Sequence, residues 1–157
     1  MKVRLTDYLI DQTGVDWATH LSPFHPLIPG EFTVWMVNRF GDVVFVPTDG
    51  SVHLLDVGGG SARQLAGNRD EFTRAAGDEG VNDCLLIPLV DSCVAAGLVL
   101  GPGHCYSYRQ PPMLGGGYTV ANTKIVSLSE HYGFYGEIYR QTQDLPDGQK
   151  VVLRVTP

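Results

Sequence analysis

The sequence predicts an α+β fold in which an antiparallel β-meander packs against helices. The first half contains closely spaced runs of β-branched and aromatic residues that short turns separate. The second half contains helix-capping signals followed by apolar residues at helical spacing. The chain has 157 residues, of which 43% are hydrophobic. A chain of this size forms one domain that buries about 70% of its unfolded surface. We therefore expect a single compact domain over residues 1–157.

Two short helices are predicted at the start of the chain. Thr6 is placed to cap a helix over residues 7–12, and Gly14 lies just past the end of that helix. A second short helix is expected over residues 15–21. The stretch 22–26 contains two prolines and is expected to end any helix.

Four strands are predicted next, over residues 32–37, 43–46, 52–57 and 62–65. The pair Asp49-Gly50 favours a tight hairpin because both residue types tolerate positive φ. Tight hairpins join antiparallel neighbours, whereas parallel neighbours need a crossover of a dozen or more residues. The four strands are therefore expected to form an antiparallel meander.

Three further helices are predicted in the second half. Asn68 with Glu71 and Ser127 with Glu130 have the spacing of capping boxes, and Pro88 suits a first helical position. Strands are expected over residues 105–108, 124–126 and 151–155, with a turn at 146–148 before the last of them.

The stretch 54–60, LLDVGGG, resembles the strand and glycine turn at which many S-adenosylmethionine methyltransferases hold their cofactor. In that fold the strand is normally the first of a parallel sheet, and a helix follows its glycines. Here two strands precede the stretch, and residues 61–65 are typical of another strand. We therefore predict a glycine β-turn and no cofactor.

No catalytic or metal-binding motif is present in the sequence. The five histidines are scattered, without the close pair of a helix-borne zinc site, and are expected to be solvated or packed. His104 and Cys105 are adjacent, but neighbours in a strand point to opposite faces. Neither a nucleophile elbow nor a phosphate-binding loop occurs. We expect no catalytic residue and no metal ion.

Net charge and cysteine content indicate which partners and which cellular compartment suit the protein. The formal net charge is −6, which disfavours direct nucleic-acid binding and is compatible with a basic protein partner or with plain solubility. Three cysteines are an odd number and do not suggest a disulfide framework. The first residues lack a signal peptide, and the apolar tract 85–100 is too interrupted to span a membrane. We expect a soluble cytoplasmic protein of unassigned oligomeric state.

Two groups of side chains are candidates for partner contact. Asp78, Glu79 and Asp83 form a local acidic group, which is either a solvated surface or a contact for a basic partner. A dense aromatic set forms either a binding surface or a core whose hydroxyl groups reach the surface. Its members are Tyr106, Tyr108, Tyr118, Tyr132, Phe134, Tyr135 and Tyr139.

Eight segments in order carry a resemblance to a known bacterial family. They are residues 7–11, 37–42, 49–53, 55–59, 86–91, 95–103, 111–116 and 144–148. Together they resemble small proteins carrying the C-terminal domain of type VI secretion immunity proteins, long catalogued as a domain of unknown function. The resemblance implies that residues 81–157 form the immunity-type half. Residues 1–80 would then be a meander-containing half that resembles a shortened GAD-like region.

The family resemblance implies a non-enzymatic immunity protein. Such a protein would bind and neutralise a cognate toxin, and better-understood relatives neutralise a DNA-cleaving one. We expect Asp78, Glu79 and Asp83 to supply charge at the contact. His104, Tyr106 and Tyr108 are expected to supply packing.

Two other functions remain open from the sequence. One is a small-molecule or peptide binding module with a pocket under the loops 101–103 and 115–117. The other is an enzyme of unknown class, which would require a cleft with convergent titratable groups.

Overall fold

A four-stranded antiparallel sheet lies at the centre of the computed structural model, which describes residues 5–28, 30–75 and 83–143. Its strands are β1 (Phe32–Val37), β2 (Val43–Pro47), β3 (Val52–Asp56) and β4 (Ser61–Ala66), and each pairs with the next in the chain. A separate antiparallel ribbon consists of β5 (His104–Tyr108) and β6 (Thr123–Ser127). The α+β fold and its meander are confirmed.

The helices lie before, between and after these strands. They are α1 (Trp17–Leu21), α2 (Arg69–Arg74), α3 (Ile87–Ala95) and α4 (Leu128–Thr142). Short 3-10 helices occupy Leu5–Tyr8, Ser22–Leu27, Pro112–Leu114 and Val120–Asn122. The side chains of Asn68 and Ser127 accept hydrogen bonds from the main-chain nitrogens of Glu71 and Glu130, as the capping signals predicted.

Both faces of the sheet are buried, and β2 shows this most clearly. Val43 and Phe45 face the larger apolar cluster, which includes the inner side of α4. Val44 and Val46 face a smaller cluster that includes Phe72 of α2. Successive side chains of a strand point to opposite faces, so the sheet is the middle layer of the molecule.

The inner side of α4 is built largely of tyrosines, and Tyr132, Tyr135 and Tyr139 are all buried. Tyr106 and Tyr108 of β5 are buried beside them in the same cluster. Most of the aromatic set therefore forms core. Tyr118 is the exception, with half of its surface exposed.

The N-terminal segment differs from its prediction. Residues 7–12 do not form one helix, because the chain leaves the 3-10 helix at Tyr8 and runs along the outer edge of β1. Ile10 N donates to the Val37 carbonyl at 2.9 Å, and Gln12 Nε2 donates to the Trp35 carbonyl at 3.2 Å. These bonds satisfy backbone groups that an edge strand would otherwise expose.

The α-helix α1 ends at Leu21, as the predicted break at residues 22–26 required, but the chain does not leave helical structure there. The chain forms a 3-10 helix there, with Pro23 near its start, where no main-chain donor is needed. Phe24 is fully buried and fixes this helix to the core. The predicted turn at 146–148 and the strand at 151–155 lie outside the described residues.

The glycine stretch forms the β3–β4 turn. Asp56 Oδ1 accepts a hydrogen bond from Gly59 N at 2.9 Å, and Gly60 has a φ of +67°. A Cβ atom at Gly58 would lie 2.9 Å from the Tyr108 ring. The glycines are therefore required for a tight turn packed closely against β5.

Candidate partner-binding site

Two adjoining cavities open on either side of Tyr118. The first has a volume of about 180 Å³ and is lined on one side by the meander, including Asp56 and Arg63. The second has a volume of about 500 Å³ and includes Val120. Asp83, Leu86 and Tyr118 line both cavities. We call the combined feature the Tyr118 groove.

Tyr118 has the properties of an interface anchor. Its side chain is 50% exposed, and its ring meets Tyr108 edge-on at 5.7 Å between centroids. The buried Tyr108 ring thus supports the exposed one. Tyrosines that combine apolar area with a polar tip are enriched among the residues that dominate binding energy.

Carboxyl groups line the smaller cavity. Asp42 is buried, and its Oδ1 accepts from Val57 N at 3.0 Å. Its Oδ2 accepts from Asn38 Nδ2 at 3.1 Å. Burial raises the pKa of Asp42, and the neighbouring Asp56 charge raises that pKa further. Burial also raises the pKa of Asp56, against the opposing effects of Gly59 N–H and Arg63.

These pKa shifts have a consequence for binding. Two carboxyl groups in a poorly solvated space do not both ionise readily, so the pair retains a proton more strongly than isolated carboxyl groups do. A lysine or arginine side chain brought into the cavity would stabilise the ionised form of both groups. The exposed Asp83 adds a further negative charge at the rim.

The backbone of the groove is strained at Leu86. Its φ of 53° is positive, which no other non-glycine residue among those described shows. The left-handed conformation costs an L-residue roughly 1–2 kcal/mol. Leu86 O accepts from Val90 N at 2.9 Å in the first turn of α3, which holds the conformation in place. Strain of this kind is concentrated at functional sites.

The structure separates the predicted contact residues. Asp83 lines the Tyr118 groove, whereas His104 is exposed at a different groove, next to the loop 101–103. Asp78 and Glu79 lie outside the described residues. Partner contact at Asp83 and His104 stays a prediction.

Tyr106 and Tyr108, the two tyrosines expected to supply packing at the contact, have buried side chains. They are 0% and 2% exposed and pack on Phe40, with ring centroids 5.2 and 5.3 Å apart. Partner contact at these two positions stays a prediction. Both side chains point to one face of β5 because they are two residues apart, and the core covers that face.

Three residues of the groove escaped prediction as contacts. Asp42 lies in the β1–β2 turn and Asp56 ends β3 just before a turn, and acidic residues are common at such places for local reasons. Tyr118 belongs to the aromatic set, but it follows the glycine run 115–117 and lacks the helical spacing of the α4 tyrosines. That difference is the signal that could have identified it as exposed.

The described residues show no arrangement suited to nucleophilic catalysis at Cys105. Burial raises the pKa of that thiol to about 12, which disfavours the reactive thiolate. Its neighbour His104 is exposed. No group of three or more His, Cys, Asp or Glu residues within the described ranges could hold a metal ion. No described helix is long and apolar enough to cross a membrane.

Comparison with curated proteins and with solved structures finds no significant match. A family model described as T6SS immunity protein Tdi1, C-terminal, matches residues 66–139. The match begins at the end of β4, not at residue 81, and includes Asp83, Leu86 and Tyr118. The predicted division of the chain near residue 80 stays a prediction. Residues 66–139 are thus similar to the C-terminal domain of the type VI secretion immunity protein Tdi1.

Proposed function

We propose that the chain is a non-enzymatic immunity protein that binds and neutralises a cognate toxin of a type VI secretion system. The observation that carries this proposal is the match of residues 66–139 to the family model of the Tdi1 immunity protein C-terminal domain. We further propose that the Tyr118 groove is part of the toxin-binding surface. Asp83, Leu86 and Tyr118 come from the family region, and Asp56 comes from the meander.

Charge favours a basic toxin. The chain has a formal net charge of −6, and the groove contains Asp42, Asp56 and Asp83. A DNA-cleaving toxin needs lysine and arginine side chains to bind phosphates. An acidic inhibitor complements that surface and speeds the encounter of the two proteins. Because relatives in the family that the sequence resembles neutralise a DNA-cleaving toxin, we propose a nuclease, with DNA as its substrate, as the toxin.

The groove suggests how such a complex would be held. A basic side chain of the toxin would enter the smaller cavity, beside Asp56 and Asp83. An apolar side chain would enter the larger cavity, where Leu89 and Val120 surround Tyr118. A complete inhibitory interface buries about 1,600 Å² in total. His104 remains a proposed contact.

The first experiment identifies the toxin and tests neutralisation. The tagged chain is expressed in its native cell, and a protein that co-purifies in stoichiometric amounts is identified. That protein is then produced alone, where we expect growth arrest and cleavage of plasmid DNA. An equimolar amount of the chain should abolish both effects. Persistent toxicity in its presence would contradict the immunity role, and toxicity without DNA cleavage would contradict only the nuclease assignment.

The second experiment tests the groove independently of the immunity role. Asp56→Asn combined with Asp83→Asn removes both accessible charges and keeps the side-chain shapes. We expect the dissociation constant of the toxin complex to rise at least about tenfold, because contacts between paired charges contribute more than about 1 kcal/mol. Glu31→Gln, an exposed acid outside the groove, is the control. Equal affinities of the double variant and the control would place the interface elsewhere.

A further inference from the structure

A second groove lies under the loop 101–103 and contains an arginine that has no acidic partner among the described residues. Its volume is about 700 Å³. One wall is the N-terminal segment, including Leu9 and Ile10, and the other is formed by residues 100–104. Arg39 and Leu128 also line it. We call it the Arg39 groove.

Arg39 is held in place by its backbone and not by an ion pair. Its carbonyl accepts from Tyr106 N at 2.7 Å, which fixes the β1–β2 turn onto β5. Its Nε is fully buried and has no hydrogen-bond partner. Among the described residues, the one ion pair joins Glu137 and Arg140, so no described carboxylate neutralises Arg39. The Arg39 side chain also makes a hydrogen bond with that of Tyr106, but its buried Nε without an acceptor is costly, and an anion in the groove would reduce that cost.

Both walls of the groove are fixed before any ligand arrives. Gly103 O accepts from Leu128 N at 3.0 Å, and Pro102 O accepts from His104 Nδ1 at 2.8 Å. On the other wall, Ile10 N is bonded to β1, and Asp11 Oδ1 accepts from Thr13 N at 2.9 Å. A preformed groove binds with a smaller loss of conformational entropy than a mobile one.

The hydrogen bond to the Pro102 carbonyl also determines which ring nitrogen of His104 carries the hydrogen. A carbonyl oxygen only accepts, so Nδ1 of the imidazole carries the hydrogen. Nε2 of the neutral ring is then an acceptor. Asp11 is the acidic residue of the same groove. It limits the negative charge that the groove accepts.

From these features we propose that the Arg39 groove binds a single carboxylate attached to an apolar chain. One guanidinium pairs with one carboxylate through two parallel hydrogen bonds. A doubly charged phosphate would meet Asp11 and an overall negative protein, which disfavours it. Leu9, Ile10, Val15 and Leu100 supply the apolar surface for the rest of the ligand. This site does not depend on toxin binding.

Two sources can supply this chemistry: the C-terminus of a peptide and a small aliphatic acid. The test is an NMR titration of the full chain with N-acetyl-leucyl-leucine, its C-terminal amide, and hexanoate. We expect the dipeptide acid to shift amide signals of residues 9–13 and 101–104, and to bind at least about tenfold more tightly than the amide. Hexanoate binding as tight as that of the dipeptide acid would identify a small acid. Weaker hexanoate binding would identify a peptide terminus.

Variants test whether Arg39 causes the tighter binding of the dipeptide acid than of its amide. Arg39→Gln should remove the tenfold difference between acid and amide, and Arg39→Lys should retain part of it. Arg109→Gln, which removes an exposed arginine outside both grooves, should leave the difference unchanged. The proposal is overturned if neither the dipeptide acid nor hexanoate shifts the amide signals of residues 9–13 and 101–104 at millimolar concentration. It is also overturned if the acid and the amide bind equally, or if Arg39→Gln retains the preference.

Discussion

Asn38 Nδ2 donates a hydrogen bond to the main-chain carbonyl of Cys84 at 2.9 Å, across 46 residues of the chain. Asn38 lies in the turn between β1 and β2, and Cys84 lies next to Asp83. The same amide group also bonds to Asp42 through Nδ2, and its Oδ1 accepts from Phe40 N at 2.9 Å and Asp42 N at 3.0 Å. One buried side chain thus connects the meander to the segment that forms the Tyr118 groove.

Replacing Asn38 should therefore destabilise the fold strongly. Asn38→Ala leaves several buried donors and acceptors without partners, each costing about 1–3 kcal/mol. We expect the free energy of unfolding to fall by about 3–5 kcal/mol, measured by urea denaturation. Asn68→Ala removes one exposed cap bond and should cost about 1 kcal/mol. Similar losses in the two variants would show that the bond to Cys84 is not structurally important.

Gly41 is required by its contact with His131. Its φ is +81°, and a Cβ atom there would lie 2.7 Å from two atoms of the buried His131 ring. Gly41→Ala combines left-handed strain with a clash that the packed ring cannot relieve. We expect a loss of about 3 kcal/mol or more in the free energy of unfolding.

Gly50→Ala is the matched control for this substitution. Gly50 has a φ of +84°, and a Cβ atom there would meet no atom of a non-neighbouring residue within 4 Å. Its cost should therefore be the conformational strain alone, about 1–2 kcal/mol. Equal thermal melting shifts for the two variants would mean that the His131 ring moves aside without cost.

The burial of His131 predicts a dependence of stability on pH. Burial lowers the pKa of His131 to about 3, with the Phe40 backbone opposing the shift, whereas an unfolded histidine titrates near about 6.5. Between these values the unfolded state binds a proton that the folded state does not. The stability contributed by the neutral ring is therefore complete above pH about 6.5 and is lost as pH falls toward about 3.

His131→Gln tests this dependence by comparison with the unmodified chain. The difference in the free energy of unfolding should grow with pH over this window by up to about 1.4 kcal/mol per unit, then level off above pH about 6.5. Urea denaturation at several pH values measures it. His25→Gln, at an exposed position, controls for the substitution itself. A difference that stays constant with pH would contradict the assignment.

Local signals predicted the meander and the helix starts well. The strand over residues 32–37 was predicted to the residue, because β-branched and aromatic side chains fill it and turn residues bound it. The helix expected over residues 7–12 failed because its local signals, Thr6 and Gly14, compete with pairing to β1. A pairing partner in a distant part of the chain leaves no mark within the segment itself.

The candidate site was less predictable for a related reason. The Tyr118 groove combines turns of the meander with residues 83–120, and its shape depends on the bond between Asn38 and Cys84. Nothing in the spacing of these residues shows that they meet. For β5, alternation showed that Tyr106 and Tyr108 share a face, but not that the core covers that face.

Tyr108 and Tyr118 are in contact and should respond differently to alanine substitution. Tyr108 is 2% exposed and Tyr118 is 50% exposed. Tyr108→Ala opens a large cavity, so we expect a loss of about 3–5 kcal/mol in the free energy of unfolding. Tyr118→Ala should cost less than about 1 kcal/mol, because its ring lies on the surface.

Tyr118→Ala, the variant with the smaller effect on stability, should have a large effect on toxin binding. If Tyr118 is an anchor, Tyr118→Ala should weaken the complex at least about tenfold while the protein stays folded, as calorimetry with the purified toxin would show. Ile125→Ala removes another exposed apolar side chain, on β6 and outside both grooves, and should leave affinity within about twofold. Because Tyr118→Ala barely affects folding, a lost affinity reports contact and not collapse of the site. Unchanged affinity would remove Tyr118 from the interface and shift attention to His104 and the face around it.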